Sequence, residues 1–437
     1  MSGLRQRLGA LLRPARPERG ARVPRLRPAE RSSAEPTLGM SGLGPEARDA
    51  WPFDPILLGA ILALVALGLV MVYSASAIPA SQSRRLGNDE FYYLKRQLLA
   101  AGLGLGLLVL AFKLGHRRVQ LLAYPVLALT FVALLLVPLI GKSAGGAQRW
   151  IPLGPLMFQP AEAAKVALVL YLAHSLSRKA EVIKTFSIGL LPHVIVTVAL
   201  VGLCLWQSDF GTGVILFLVL FAVLFSAGAR VSYLIGAGLA ALPVAYWLVR
   251  SKEYRWTRVM AFLDPEAHRY KEGFQLWESL LGAAHGGFTG QGLGQGKGKL
   301  FYLPAAHTDF IAAVIAEETG LLGMLLLIGL FGVVVWRGVR AALNASTPFA
   351  AYCALGFTAL IGAQAIVNLS VVFGLVPTKG LTLPFVSYGG SSLLTLLASC
   401  GVLLSVSGDR GGFLRGPSAV RTGRATSPRL SSTGVTP

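Results

Sequence analysis

The chain has 437 residues, of which 54% are hydrophobic and 14% charged, with mean hydropathy +0.62 and a formal net charge of +20. So little polar surface excludes an ordinary soluble fold, and apolar runs that do not alternate exclude a β-barrel. The charge does not point to nucleic acid, because the basic N-terminal stretch lacks any recognisable binding module.

Residues 1–50 carry ten Arg against five acidic residues and have no apolar signal-peptide core. They are expected to be a basic, disordered cytoplasmic tail. Apolar runs matching a ~30 Å hydrocarbon core follow near 56–78, 97–112, 119–140, 161–176, 187–206, 212–228, 231–249, 310–336, 349–374 and 384–406. The pattern predicts an all-α, polytopic membrane protein with about ten transmembrane helices over 51–410. Its one large extracellular loop is 250–308, and 411–437 is a second disordered cytoplasmic tail.

Basic residues set the orientation. Lys113, Arg117, Arg118, Arg178, Lys179, Lys184, Arg230, Arg337 and Arg340 all fall in connections on one side, with both tails. By the positive-inside rule that side is cytoplasmic. Cys204, Cys353 and Cys400 lie inside predicted spans without a C-x-x-C pair and read as small buried residues.

In the large loop, Arg255, Trp256, Arg258, Phe262 and Leu263, then Trp277 and Leu280, suggest short amphipathic helices at the membrane surface. A glycine run from Gly286 to Gly298 does not complete a dinucleotide fingerprint. It reads either as a flexible turn region or as backbone free to approach a phosphate or sugar.

Ionisable groups gather at the predicted outer ends of spans, where charge is costly without a partner or a task. Glu162 and Lys165 stand three residues apart on one helix face and can neutralise each other. Arg149, Asp209 and Lys379 lie in outer loops, and Glu317 and Glu318 follow Asp309 by eight and nine residues. For each residue, an ion pair or a cap is the alternative to a functional role; a polar cavity open to the outside accounts for them jointly. The acids show no compact metal-ligand spacing, so no metal site is assigned, and a Mg or Mn ion beside a phosphate is left open. Thr308 has the place of an N-cap, which would put Asp309 in the first helical turn. There the helix dipole lowers its basicity and burial raises it. His307 is the competing base.

Several blocks, in order and at fitting distances, resemble the SEDS family of membrane peptidoglycan glycosyltransferases, which includes FtsW, RodA and SpoVE. They include Met71-Val-Tyr-Ser-Ala-Ser-Ala77, Ala147-Gln-Arg-Trp-Ile151, Phe158-Gln-Pro-Ala-Glu-Ala-Ala-Lys165 and Gln207-Ser-Asp-Phe-Gly-Thr212. Further along are Gly290-Gln-Gly-Leu-Gly294, Lys299-Leu-Phe-Tyr-Leu-Pro304, Ala306-His-Thr-Asp-Phe310, Glu317-Glu318 and Pro377-Thr-Lys-Gly through Ser392. The resemblance spans 56–406 and is nearer FtsW than RodA in blocks 207–212, 299–304 and 377–384. Three positions depart from the family pattern: Ala305 stands for a common Glu, Ser208 for Pro and Ala163 for Phe.

The resemblance implies that Asp309 is the catalytic carboxylate. It also implies that Arg149, Glu162, Lys165, Asp209 and Lys379 surround the same cavity, with Ser387 and Ser391 in the turn into the last span. His307, Glu317 and Glu318 are second-line candidates. The implied reaction polymerises lipid II, releasing undecaprenyl diphosphate, at the outer face of the cytoplasmic membrane. The implied partners are a class B penicillin-binding protein (an FtsI-like transpeptidase) and other division-machinery membrane proteins, at the septum. A lipid II transporter is the rival, and a non-catalytic scaffold a third reading. For the partner's membrane helix, the small residues of 349–374 are favoured over those of 231–249.

Overall fold

The computed structural model describes residues 52–409 apart from 145–146, 155, 180–182, 272 and 297–305. The expected tails at 1–50 and 411–437, the block 299–304 and Ala305 lie outside the described residues.

Helices account for nearly every expected span. They are α1 (Pro55–Ser81), α2 (Tyr92–Val119), α3 (Ala123–Ile140), α4 (Pro160–Arg178), α5 (Leu191–Trp206), α6 (Phe210–Ser226) and α7 (Val231–Arg250). Two shorter helices follow in the large loop, α8 (Glu253–Leu263) and α9 (Phe274–Gly286). The last three are α10 (Ile311–Asn344), α11 (Pro348–Val372) and α12 (Gly390–Ser407). Among the described residues, seven helical stretches are long and apolar enough to cross a membrane, one of which, Tyr92–Ile140, contains both α2 and α3.

Helix starts follow local chemistry. Asp54 accepts hydrogen bonds from the amides of Ile56 and Leu57 ahead of Pro55, and Thr347 caps Ala350 ahead of Pro348. The last helix begins at Gly390 rather than near 384, because the apolar run Leu383 to Val386 is a turn in which Phe385 has φ 65°. Hydrophobicity therefore outruns the helix.

A small sheet modifies the all-α expectation. β1 (Lys142–Ala144), β2 (Ala147–Leu153) and β3 (Leu156–Phe158) pair antiparallel in the order β1-β2-β3, with Lys142 opposite Trp150 and Ile151 opposite Phe158. It occupies the connection between α3 and α4, expected on the outer side, and carries Arg149.

Lipid tails are as apolar as Leu, so helices in a bilayer associate through close packing and polar contacts. α11 lies at the centre of the bundle, against α10, α4, α6 and α12. A Cβ on its Gly356 would stand 2.7 Å from Val169 of α4, and one on Gly104 of α2 would stand 2.6 Å from Leu397 of α12. Most small residues that favoured 349–374 as a partner surface are used this way: Ala350, Ala351, Ala354, Gly356 and Gly362 are buried. Ala359 and Ala363 are only half-buried, beside exposed Ile366. α7 is the opposite case, with Leu234 its one buried residue.

Candidate active site

Three loops meet at the expected outer end of the bundle: the turn 306–310 ahead of α10, the segment 373–389 between α11 and α12, and the connection from α5 to α6. α10 begins at Ile311, and Phe310 precedes it without a side-chain cap, so Thr308 is not an N-cap and Asp309 lies before the helix. This corrects the expected first-turn position.

Two amides of α11 hold the loops together. Asn368, 1% exposed, donates its Nδ2 to the carbonyl of Asp309 at 2.9 Å and to that of Leu381 at 2.6 Å. One turn earlier, Gln364 donates to the Thr382 carbonyl at 2.9 Å and accepts Lys165 Nζ at 3.0 Å. Lys165 also pairs with Glu162 at 2.7 Å, both side chains being buried. The expected Glu162–Lys165 pair exists and is spent on the bundle. Sequence reading missed Gln364 and Asn368, although two amides at i and i+4 in an apolar span were the available signal.

Asp309 is placed differently. Its carboxylate makes no hydrogen bond or ion pair among the described residues, and a Cβ on Gly380 would lie 3.1 Å from its Oδ2. Burial raises its pKa to about 6, against the opposing pull of Arg149 and Arg258 and with a further rise from Asp209. Burial thus prevails. His307 packs at a tilt against Tyr93, with ring centroids 4.5 Å apart, and against Tyr388, and burial pushes its imidazole down to about 4. It is the weaker base of the two.

The remaining candidates divide between structural and open roles. Arg149 donates Nε to the Gln207 carbonyl at 3.0 Å and Nη2 to the Ser208 carbonyl at 2.6 Å, latching the small sheet onto the α5–α6 connection. Ser208 has φ 61°, a conformation closed to proline. Asp209 caps α6, accepting from the Thr212 amide at 3.0 Å and its hydroxyl at 2.9 Å. Ser387 accepts the Leu383 amide, while Ser391 accepts the Gln159 amide and donates to the Met157 carbonyl. Lys379 Nζ lies 4.6 Å from the centroid of the Phe210 ring and makes no ion pair with Asp309 or any other acid among the described residues. Burial lowers its pKa. Arg258 was read as a surface residue, yet its charge reaches Asp309.

Glu317 and Glu318 belong to a neighbouring structure. α10 breaks at Gly320, whose φ of 63° favours glycine. The glycine-rich segment fills the break: the amides of Leu321 and Leu322 donate to the carbonyls of Gly287 and Phe288. In return, the amides of Gln291 and Gly292 donate to the carbonyls of Glu317 and Glu318. Glu318 also accepts from Ser74 of α1 at 2.7 Å and from the Gly294 amide at 3.0 Å. The run's missing side chains admit a helix backbone, a packing role that neither earlier reading gave it. No cluster of three metal-ligating side chains occurs among the described residues.

The cell cycle protein family model FTSW_RODA_SPOVE matches residues 55–411. A protein of Geobacter sulfurreducens described as a probable peptidoglycan glycosyltransferase FtsW is 44% identical over 84% of this chain and 98% of its own length. Stage V sporulation protein E of Bacillus subtilis is 38% identical over 81% of this chain and 96% of its own. A chain from a structure of a peptidoglycan synthase complex superposes with a TM-score of 0.67 at 34% identity, covering 81% of this chain and 97% of that one. The Thermus thermophilus rod shape determining protein RodA gives 0.60 at 33% identity, covering 82% and 97%. With the family pattern matched from the first span to the last, the chain belongs to the SEDS family of FtsW, RodA and SpoVE proteins and sides with FtsW within it.

Proposed function

We propose that this multi-pass protein of the cytoplasmic membrane is a peptidoglycan glycosyltransferase that polymerises lipid II into β-1,4 glycan strands during septal wall synthesis. The carrying observation is the Asp309 carboxylate, unpartnered among the described residues and raised to about 6, so that it is ionised yet basic near neutral pH. In this reading ten helices cross the membrane with both termini in the cytoplasm, and Asp309 faces outward. It takes the proton from the 4-hydroxyl of the acceptor N-acetylglucosamine as that oxygen attacks the anomeric carbon of the donor N-acetylmuramic acid. Undecaprenyl diphosphate departs with the bonding electrons, and one inversion converts the α-linked donor into a β-linked product. Nearby cations stabilise the developing charge, in a site partly closed to water where such contacts are strong. A class B penicillin-binding protein crosslinks the product, and the nearer likeness to FtsW supports septal rather than side-wall action.

The test is glycan polymer formed from defined lipid II by the purified chain with its transpeptidase partner. Asp309→Asn is expected to remove at least ~10²-fold of the rate, the lower range for general base catalysis. Protein-dependent movement of labelled lipid II across liposomes without polymer would favour the transporter instead.

A further inference from the structure

The helix α8 has the composition of a membrane-surface helix, but Arg255 is directed at the site. Its Cζ lies 5.8 Å from the centroid of the Phe210 ring, which also carries Lys379 Nζ at 4.6 Å. Phe210 directly follows Asp209, the cap of α6, and Lys379 directly precedes Gly380, which abuts the Asp309 carboxylate. One aromatic ring therefore holds two cations, and the segment that carries Lys379 also adjoins the proposed base.

Both cations have unused capacity. Arg255 donates Nη1 to the Leu248 carbonyl at 3.0 Å, while its Nε is buried with no hydrogen-bond partner among the described residues. Neither Arg255 nor Lys379 forms an ion pair among the described residues. The other bases first considered for an anion are committed, Arg149 to two backbone carbonyls and Lys165 to Glu162 and Gln364. A buried donor without an acceptor, beside a partly desolvated ammonium, is an arrangement that a multivalent anion would complete.

We propose that Arg255 and Lys379, standing on Phe210, form the seat for the diphosphate of a polyprenyl-diphosphate-linked donor and of the polyprenyl diphosphate released. This rests on the glycosyltransferase reading and specifies which residues take the leaving group. The guanidinium offers a fork to two oxygens of one phosphate, and the ammonium supplies a compact charge for the other. Attraction to the ring keeps the two like charges in place while the seat is empty, and it is weak enough to yield to phosphate. A bilayer phosphodiester brings a single charge and leaves one of the two cations unmatched. Because the seat adjoins Gly380, it sets the departing diphosphate close to Asp309, where the acceptor hydroxyl loses its proton.

The experiment measures binding of undecaprenyl diphosphate to the full chain with its partner in nanodiscs, in an Asp309→Asn background so that turnover does not intervene. Arg255→Gln and Lys379→Gln are each expected to weaken binding by ~10-fold or more, and together by less than the product of the two, because they share one ligand. Undecaprenyl monophosphate should bind more weakly than the diphosphate, and excess phosphatidylglycerol should not displace it. Affinity within twofold of the parent in Arg255→Gln, or equal displacement by phosphatidylglycerol, overturns the seat; the latter outcome makes these residues headgroup anchors. If thermal melting shows Arg255→Gln unfolded, Arg255→Lys decides: it keeps the charge and loses the fork, and unchanged affinity overturns the proposal. Polymer synthesis by Asp309→Asn would overturn the base assignment and leave the binding result standing, so the two failures are distinguishable.

Discussion

Glu162 and Asp309 are both acids within an apolar bundle, and their surroundings separate two uses of charge. Glu162 is buried against Lys165, which is itself held by Gln364, so that every charge has a partner from the protein. Asp309 has its backbone fixed by Asn368, while its carboxylate stays unpartnered among the described residues beside Gly380. The first arrangement costs little while intact and a great deal when half of it is removed. The second leaves the carboxylate available to react, at the cost of an ionised group kept in partly desolvating surroundings. Position among these loops thus does not make a charge catalytic; the distinction lies in whether the protein has already satisfied it.

Removing half of the closed pair should have the largest effect on the fold. Glu162→Gln or Lys165→Met alone is expected to destabilise by about 3–5 kcal/mol, the range for an uncompensated buried charge. The double replacement Glu162→Leu with Lys165→Met should recover most of the melting temperature. If each single variant melts like the parent, the pair is not closed and the contrast with Asp309 fails.

Lys379 probes the open side. Lys379→Ala should leave melting and partner binding nearly unchanged while lowering polymer formation by ~10²-fold, the scale for a lost transition-state charge contact. Lys379→Arg should rescue poorly, since a planar fork does not replace a compact ammonium facing the departing phosphate. Rates within threefold of the parent for the Ala variant would remove Lys379 from the site.

Asn368, one turn along α11 from the Gln364 that holds Lys165, anchors the Asp309 backbone and should show a smaller, mixed effect. Asn368→Leu leaves the carbonyls of Asp309 and Leu381 without their donor, a cost of about 1–3 kcal/mol, and loosens the base against Gly380. Turnover should fall on the order of tenfold with KM little changed, because positioning is lost rather than substrate contact. An equal loss in KM alone would place Asn368 in binding.

Much of the bundle was legible because a bilayer imposes a length on apolar runs, and these runs end close to where α1, α3, α5, α7 and α11 end. The Glu162–Lys165 pair was legible for a similar reason, since a spacing of three residues on one helix fixes the contact. Other features depend on long-range packing that local patterns do not encode. The two strands that flank the one carrying Arg149 have three residues each, too few to leave an alternating signature. The glycine run looked loose because the backbone that fills the space beside it comes from the break in α10 at Gly320. Arg255 carries the composition of an interfacial anchor, and only the meeting of α8 with Phe210 turns it toward the site. Asp309 itself was found through its motif, while its pKa turned on burial that no spacing reveals.

The most direct test of the open carboxylate is the pH dependence of glycan polymerisation under single-turnover conditions with saturating lipid II, from about pH 4.5 to 8. Burial favours the protonated acid, so the base form is populated only as pH rises through about 6. The rate should therefore climb with pH through an acid limb centred near 6 and level off above it. A limb near the ordinary carboxylate value of about 4, or a flat profile over the whole range, would contradict a desolvated, unpartnered Asp309 as the base.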